Sequence, residues 1–186
     1  MIQNKTFRIV FFSLVFLLAA AWTFASRVDP EEFTGGERPP NPRKGFSAPD
    51  FTLTTLDGSE VTLSALRGQA VVVNFWASWC LPCRVEMPAI EQVHRAYEDL
   101  GLVILAVNMT SGDSRQDAAA FVEEYGLTFS IPLDLDGSVS SRYEVRGLPT
   151  TYFIDTEGVI QEVVVGGPMS EALVQSKVED LLKEAE

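Results

Sequence analysis

Three features of the 186-residue sequence predict one α/β domain held behind a single membrane-spanning helix. From residue 47 onward, short apolar runs rich in β-branched and aromatic residues alternate with segments of helical spacing, the pattern of buried strands separated by helices. An uncharged apolar run stands well ahead of them, and a stretch rich in proline and glycine lies between. A composition of 46% hydrophobic, 10% aromatic and 22% charged residues excludes a wholly disordered, collagenous or coiled-coil chain.

Residues 1–8 carry Lys5 and Arg8, and residues 9–26 follow without a charge. As a helix this run reaches about 27 Å, close to the thickness of a bilayer's hydrocarbon core. The two basic residues ahead of it, against Arg27, Asp29, Glu31 and Glu32 behind it, put residues 1–8 in the cytoplasm and the body outside the cell membrane. A cleaved signal peptide is the competing reading, with Ala19-Ala20-Ala21 as the processing site. Trp22 and Phe24 extend the apolar run and favour a retained signal-anchor; either reading exports the body. Residues 27–46 hold four prolines and three glycines among charges and read as a flexible linker spanning roughly 25 Å.

In the body, residues 47–186, Phe51-Thr52-Leu53, Asp57-Gly58 and Val61-Thr62-Leu63 read as strand, turn and strand. Residues 71–76 are a buried strand. Cys83, Met87, Ile90, Val93, Tyr97 and Leu100 then fall at helical spacing up to Gly101. Residues 102–109 form a second buried strand, and 113–125 a helix with Ala118, Phe121, Val122 and Tyr125 on one face. Residues 152–154 and 159–165 form a hairpin across Thr156-Glu157-Gly158. Residues 171–186 close the chain as an amphipathic helix with Leu173, Val174, Val178, Leu181 and Leu182 inward.

Charge narrows the partners. Residues 27–186 hold 12 basic and 26 acidic residues, a net −14, with no basic stripe, so nucleic acid is excluded. The only cysteines are Cys80 and Cys83, too few for a disulfide scaffold. They sit in Trp79-Cys80-Leu81-Pro82-Cys83, where a buried strand ends and a helix begins. Two intervening residues allow the thiols to close a small ring. The helix N-terminus favours a thiolate at Cys80, leaving Cys83 less exposed and placed to attack a mixed disulfide formed there. A zinc site would lack ligands: His94 is the one other candidate, about 16 Å further along the helix. No metal and no cofactor is expected. As a structural staple the bridge would be weak, because so small a loop removes little chain entropy. Trp76 reads as core, Trp79 as flanking the reactive sulfur, and Met87, Met109 and Met169 as packing.

Residues 74–84, Asn-Phe-Trp-Ala-Ser-Trp-Cys-Leu-Pro-Cys-Arg, resemble the active-site signature of the thioredoxin superfamily. The body as a whole is similar to the membrane-anchored TlpA/ResA-like thiol–disulfide oxidoreductases. Ala48-Pro49-Asp50-Phe51 with its hairpin, Pro88 five residues after Cys83, Gly147-Leu148-Pro149-Thr150-Thr151 and the turn at 155–158 all match that family. The resemblance implies a thioredoxin-like fold, a central mixed sheet flanked by helices, with an N-terminal β-hairpin extension. It implies a cis peptide at Pro149 that leaves backbone groups free to pair with an extended substrate, and substrate contacts from Trp79, Pro82, Leu148 and Pro149. Asn74 stands where thioredoxin carries a buried Asp. Glu86 matches a glutamate of the ResA-like group that handles protons near the cysteines; it also reads as a first-turn acid complementing the helix dipole.

Leu81-Pro82 places no charge and no side-chain donor between the cysteines, which points to a reducing couple. The resemblance implies a reductase of disulfides in exported proteins, notably the C-x-x-C-H segment of apocytochrome c during cytochrome c maturation. Its electrons would come from a membrane-embedded thiol donor, with the anchor holding it near both partners. Two alternatives stay open. A thiol peroxidase would share the Ala-Pro-Asp-Phe opening, but its Thr-x-x-Cys setting is missing before Cys80. A thioredoxin-fold binding or chaperone module would need neither cysteine, and both are present.

Overall fold

The computed structural model describes Phe7, Phe11, residues 13–18, Trp22 and residues 40–183. The chain divides into two compact units, Met1–Glu37 and Arg38–Glu186. In the first, the described residues are helical and their side chains exposed; most of the expected anchor, residues 9–26, lies outside the described residues. Among the described residues no helix is long and apolar enough to cross a membrane.

The second unit is built on a four-stranded sheet of order β4-β3-β5-β6. Its strands are β3 (Ala70–Trp76), β4 (Leu102–Asn108), β5 (Thr150–Ile154) and β6 (Ile160–Val165). β3 runs parallel to β4 and antiparallel to β5, and β5 antiparallel to β6, so the sheet is mixed. Ahead of it stands the expected hairpin, β1 (Thr52–Thr54) and β2 (Glu60–Thr62), with Leu53 opposite Val61. The helices are α1 (Leu81–Tyr97), α2 (Arg115–Tyr125), α3 (Ser138–Arg142) and α4 (Glu171–Lys183).

Strand alternation divides the core in two. Val72, Trp76, Ile104, Ala106 and Phe153 meet Cys83, Met87 and Ile90 of α1, Phe121 of α2 and Val174, Val178 and Leu181 of α4. On the other face Val71, Val73, Phe75, Val107 and Ile154 meet Ala48, Phe51, Leu63 and Tyr143. The Ala-Pro-Asp-Phe segment is thereby a structural clip. Asp50 accepts from the Ser64 N–H at 2.8 Å and its hydroxyl at 2.7 Å, and the Tyr143 hydroxyl donates to the buried Pro49 carbonyl at 2.7 Å.

Several expectations need correction. Residues 27–39 of the expected linker lie outside the described residues, and residues 41–46 are tied to the domain: the Asn41 N–H donates to the Ser47 carbonyl at 3.0 Å and the Gly45 N–H to the Ile160 carbonyl, at the start of β6, at 2.7 Å. Leu100 is 64% exposed, because α1 gives way to a tighter 3₁₀ turn over Glu98–Leu100 that rotates it off the helical face. Leu173 is 40% exposed, at the edge of the buried stripe formed by Val174, Val178 and Leu181. α2 starts at Arg115, because the Ser114 hydroxyl caps it by accepting from the Asp117 N–H at 3.0 Å. Two elements were not anticipated: the five-residue α3, and residues 130–133, which bridge β4 at Leu105 and Asn108 and meet the hairpin at Thr55. Residues 184–186 of the expected last helix lie outside the described residues.

Tyr143→Phe keeps the ring and removes only the hydroxyl, leaving the buried Pro49 carbonyl unpaired. We expect a loss of about 1–3 kcal/mol in unfolding free energy by urea denaturation, with an unchanged denaturant slope. An unchanged midpoint would mean that the clip does not stabilise the extension.

Candidate active site

β3 ends at Trp76 and the chain reaches α1 through Ala77, Ser78 and Trp79. Cys80 is the N-cap of α1, with its sulfur accepting from the Cys83 N–H at 3.2 Å, and Pro82 occupies the first turn, where its missing N–H costs nothing. Cys80 and Cys83 are joined in a disulfide with their Cα atoms 5.3 Å apart. Cys83 is fully buried, and Cys80 is 4% exposed.

A groove of about 500 Å³ opens over Cys80. Trp79, Leu81 and Pro82 form one wall; Met109, Val145, Arg146, Gly147 and Leu148 form the other. The walls are largely apolar, with the exposed Arg146 guanidinium as their one formal charge. Three of the expected substrate contacts, Trp79, Pro82 and Leu148, therefore converge on the cysteine. Pro149 is placed differently. Its peptide bond with Leu148 is cis, as expected, but the residue is buried beneath the groove and its carbonyl accepts from the Gly166 N–H at 2.8 Å. That carbonyl is thus already paired within the sheet. A second cis bond, Gly167–Pro168, was not anticipated.

Glu86 lies under the site and not on the exposed start of α1. It is 0% exposed, and its carboxylate accepts from the Asn74 amide at 2.9 Å and from the Met169 N–H at 3.0 Å. Burial pushes the carboxyl above its ordinary range, and these two bonds offset only part of that. Asn74 also donates to the Thr151 hydroxyl at 2.8 Å, while its own Oδ1, also buried, has no hydrogen-bond partner among the described residues. At i and i+3 of one helix, Cys83 and Glu86 are neighbours. Gly167 closes over both layers: a Cβ there would come within 2.7 Å of Glu86 Oε2 and 2.8 Å of Pro149 Cγ.

Trp76 is core and Trp79 is 62% exposed beside the sulfur, as read from the sequence. Met87 and Met169 pack in the core; Met109 also lines the groove, which its strand-end position did not reveal. Asp113 was passed over as the first residue of a helix. It belongs to the site: it accepts from the Ser78 N–H and hydroxyl, both at 2.6 Å. The Asp-Ser pair ahead of α2, one residue more than a cap requires, was the available signal. His94 is far from this chemistry, paired with Glu98 at 3.3 Å and edge-on to Phe129. Among the described residues no group of three or more His, Cys, Asp or Glu side chains is placed to hold a metal ion.

Residues 45–163 match the AhpC/TSA family. The chain is 46% identical over 125 residues to the thioredoxin-like protein YneN of Bacillus subtilis, covering 67% of this chain and 72% of that one. It is 35% identical over 173 residues to the thiol-disulfide oxidoreductase ResA of the same species, covering 93% and 90%. The crystal structure of a secreted Mycobacterium tuberculosis disulfide oxidoreductase homologous to Escherichia coli DsbE superposes with a TM-score of 0.65 at 28% identity, over 70% of this chain and 96% of that one. With this fold, this cysteine pair and these relatives, the chain belongs to the AhpC/TSA family and, within its thioredoxin-like members, to the ResA-like thiol–disulfide oxidoreductases.

Proposed function

We propose that the chain is an extracytoplasmic protein-disulfide reductase, anchored by residues 9–26, that acts through Cys80 and Cys83. The observation that carries this reading is the Cys80–Cys83 pair at a helix N-terminus on the floor of an apolar groove. The Cys80 thiolate attacks one sulfur of a substrate disulfide, forming a mixed disulfide and releasing the first substrate thiolate, which takes a proton. Cys83 gives up its proton and attacks the Cys80 sulfur. The second substrate thiolate leaves, and the Cys80–Cys83 bond remains as in this structure. The substrate gains two electrons and two protons. Glu86, buried one turn from Cys83, accepts the proton of Cys83, and its raised proton affinity makes it a better acceptor than an ordinary carboxylate.

Substrates are disulfides in exported proteins, among them the C-x-x-C-H segment of apocytochrome c. A membrane-embedded thiol donor restores the dithiol. An apolar groove of this size takes an extended segment on either side of a cysteine. The thiol-peroxidase alternative finds Ala77 where its threonine would stand.

The reduction potential of the Cys80–Cys83 couple decides the direction. A value near or below about −270 mV is expected for a reductase fed from the cytoplasm, whereas one near −120 mV would mark an oxidant and end the maturation reading. Cys83→Ser should trap a substrate joined to Cys80, visible as a thiol-sensitive band on a non-reducing gel, and Cys80→Ser should abolish both the band and turnover. Glu86 makes a further prediction through stability. Its folded-state proton affinity is raised above the unfolded value, so the protein loses stability as pH climbs from about 4.5 through the folded-state value. Glu86→Gln escapes that loss, and the melting temperature of the oxidised variant should gain on wild type as pH rises above about 4.5. Parallel curves would show that the carboxyl titrates normally.

A further inference from the structure

Four donors converge on the carboxylate of Asp113. The Ser78 N–H and hydroxyl lie at 2.6 Å, and the Asn108 amide and the Ser114 N–H at 2.9 Å. Burial works against the charge, yet the bonds from Ser78 and the others hold the carboxyl below its ordinary range, so it stays ionised through neutral pH. α2 does not need this group, since the Ser114 hydroxyl already caps that helix. The loop ahead of Cys80 is tied at two more points. The Ser78 carbonyl accepts from Arg84 at 3.3 Å, and the Trp79 indole donates to the Gly112 carbonyl, beside Asp113, at 2.9 Å. Two short, charge-assisted bonds to a single residue fix both its position and its rotation.

We propose that Asp113 is a positioning residue for the redox pair. Its grip on Ser78 sets the backbone of residues 77–80, which keeps the Cys80 sulfur at the head of α1 and the Trp79 ring in place as a groove wall. Asp113 acts through Ser78 and not on the sulfur. The claim rests on the assignment of Cys80 as nucleophile. The charged and titratable groups around this loop and the redox pair, among the described residues, are Asp113 and Arg84, which bond the loop directly, Glu124, which pairs with Arg84 at 2.9 Å, Arg146 in the groove wall, and the buried Glu86 beneath the cysteines.

The test separates position from charge. In the reduced full chain, the rate of Cys80 alkylation by iodoacetamide is followed against pH, and the rate constant for reduction of a disulfide-bonded C-x-x-C peptide is measured. Ser78→Ala removes one arm of the grip and leaves the Asp113 charge. It should move the alkylation midpoint to higher pH and slow peptide reduction roughly 10-fold or more, the scale of a small misplacement of a reacting group. Ser78→Thr, which keeps the hydroxyl, should restore both. Asp113→Ala should be at least as slow as Ser78→Ala, and the double variant no slower than Asp113→Ala, because one act passes through the other. If Ser78→Ala titrates and turns over as wild type, or if the two effects multiply, the proposal is wrong. A midpoint that falls in Asp113→Ala with Ser78→Ala unchanged would also overturn it, by showing that only charge matters. Should Asp113→Ala fail to fold, the Ser78→Ala and Ser78→Thr pair decides alone. Peptide reduction surviving in Cys80→Ser would instead refute the assignment of the nucleophile.

Discussion

β3 is buried along all seven residues and paired on both sides, to β4 and to β5, so the chain reaches the surface only beyond its two ends, and the end at Trp76 leads to the cysteines. This confines the chemistry to one place. The polar loop, the helix start and the two sulfurs are stacked at the end of a strand that cannot shift without breaking two ladders of hydrogen bonds. Asn74 is the exception that proves useful. A polar side chain in such a strand must find partners, and Asn74 finds them in Glu86 of α1 and Thr151 of β5. β3, α1 and the strand that follows Pro149 are thereby locked around the buried carboxyl.

The acidic character of the protein and the character of its groove are opposed. A chain with 26 acidic residues places none of them in the groove walls, where Arg146 is the one charge. The acids nearest the cysteines are both committed to hydrogen bonds: Glu86 beneath them and Asp113 in front of them. Repulsion between a carboxylate and a thiolate is thus limited to groups whose orientation the fold dictates.

How far the site could be read from the chain depends on how local each signal is. The β-branched run at 71–76 and the stripe from Cys83 to Tyr97 announce a strand and a helix by periodicity alone, and the two cysteines fall at their junction. Residues 130–133 carry no such period: Pro132 interrupts them, and they are held by Leu105, Asn108 and Thr55 from elsewhere in the chain. α3 is too short to show a helical stripe. Glu86 was legible as a residue but not as an environment, because its burial depends on Asn74 and on a Met169 N–H 83 residues away. Asp113 was hidden for the same reason: its partner Ser78 lies 35 residues earlier. Leu100 and Leu173 look like core by type and are exposed, the first by a 3₁₀ turn that rotates it off the helical face and the second by its place at the edge of the buried stripe.

The strip of chain at residues 45–48 has a consequence for solubility. It runs along β6 at Gly158 and Ile160, and beyond it Glu162 sits between Lys44 and Lys177. Residues 130–133 cover the outer side of β4 in the same way. Both rims of the sheet are thus occupied or charged, which are two of the ways folded proteins keep neighbouring chains from adding a strand. Copies of a protein at high local density meet one another's sheets edge to edge. Here the covered parts of both rims, at Gly158–Ile160 and at Leu105–Asn108, offer such a neighbour no ladder to extend.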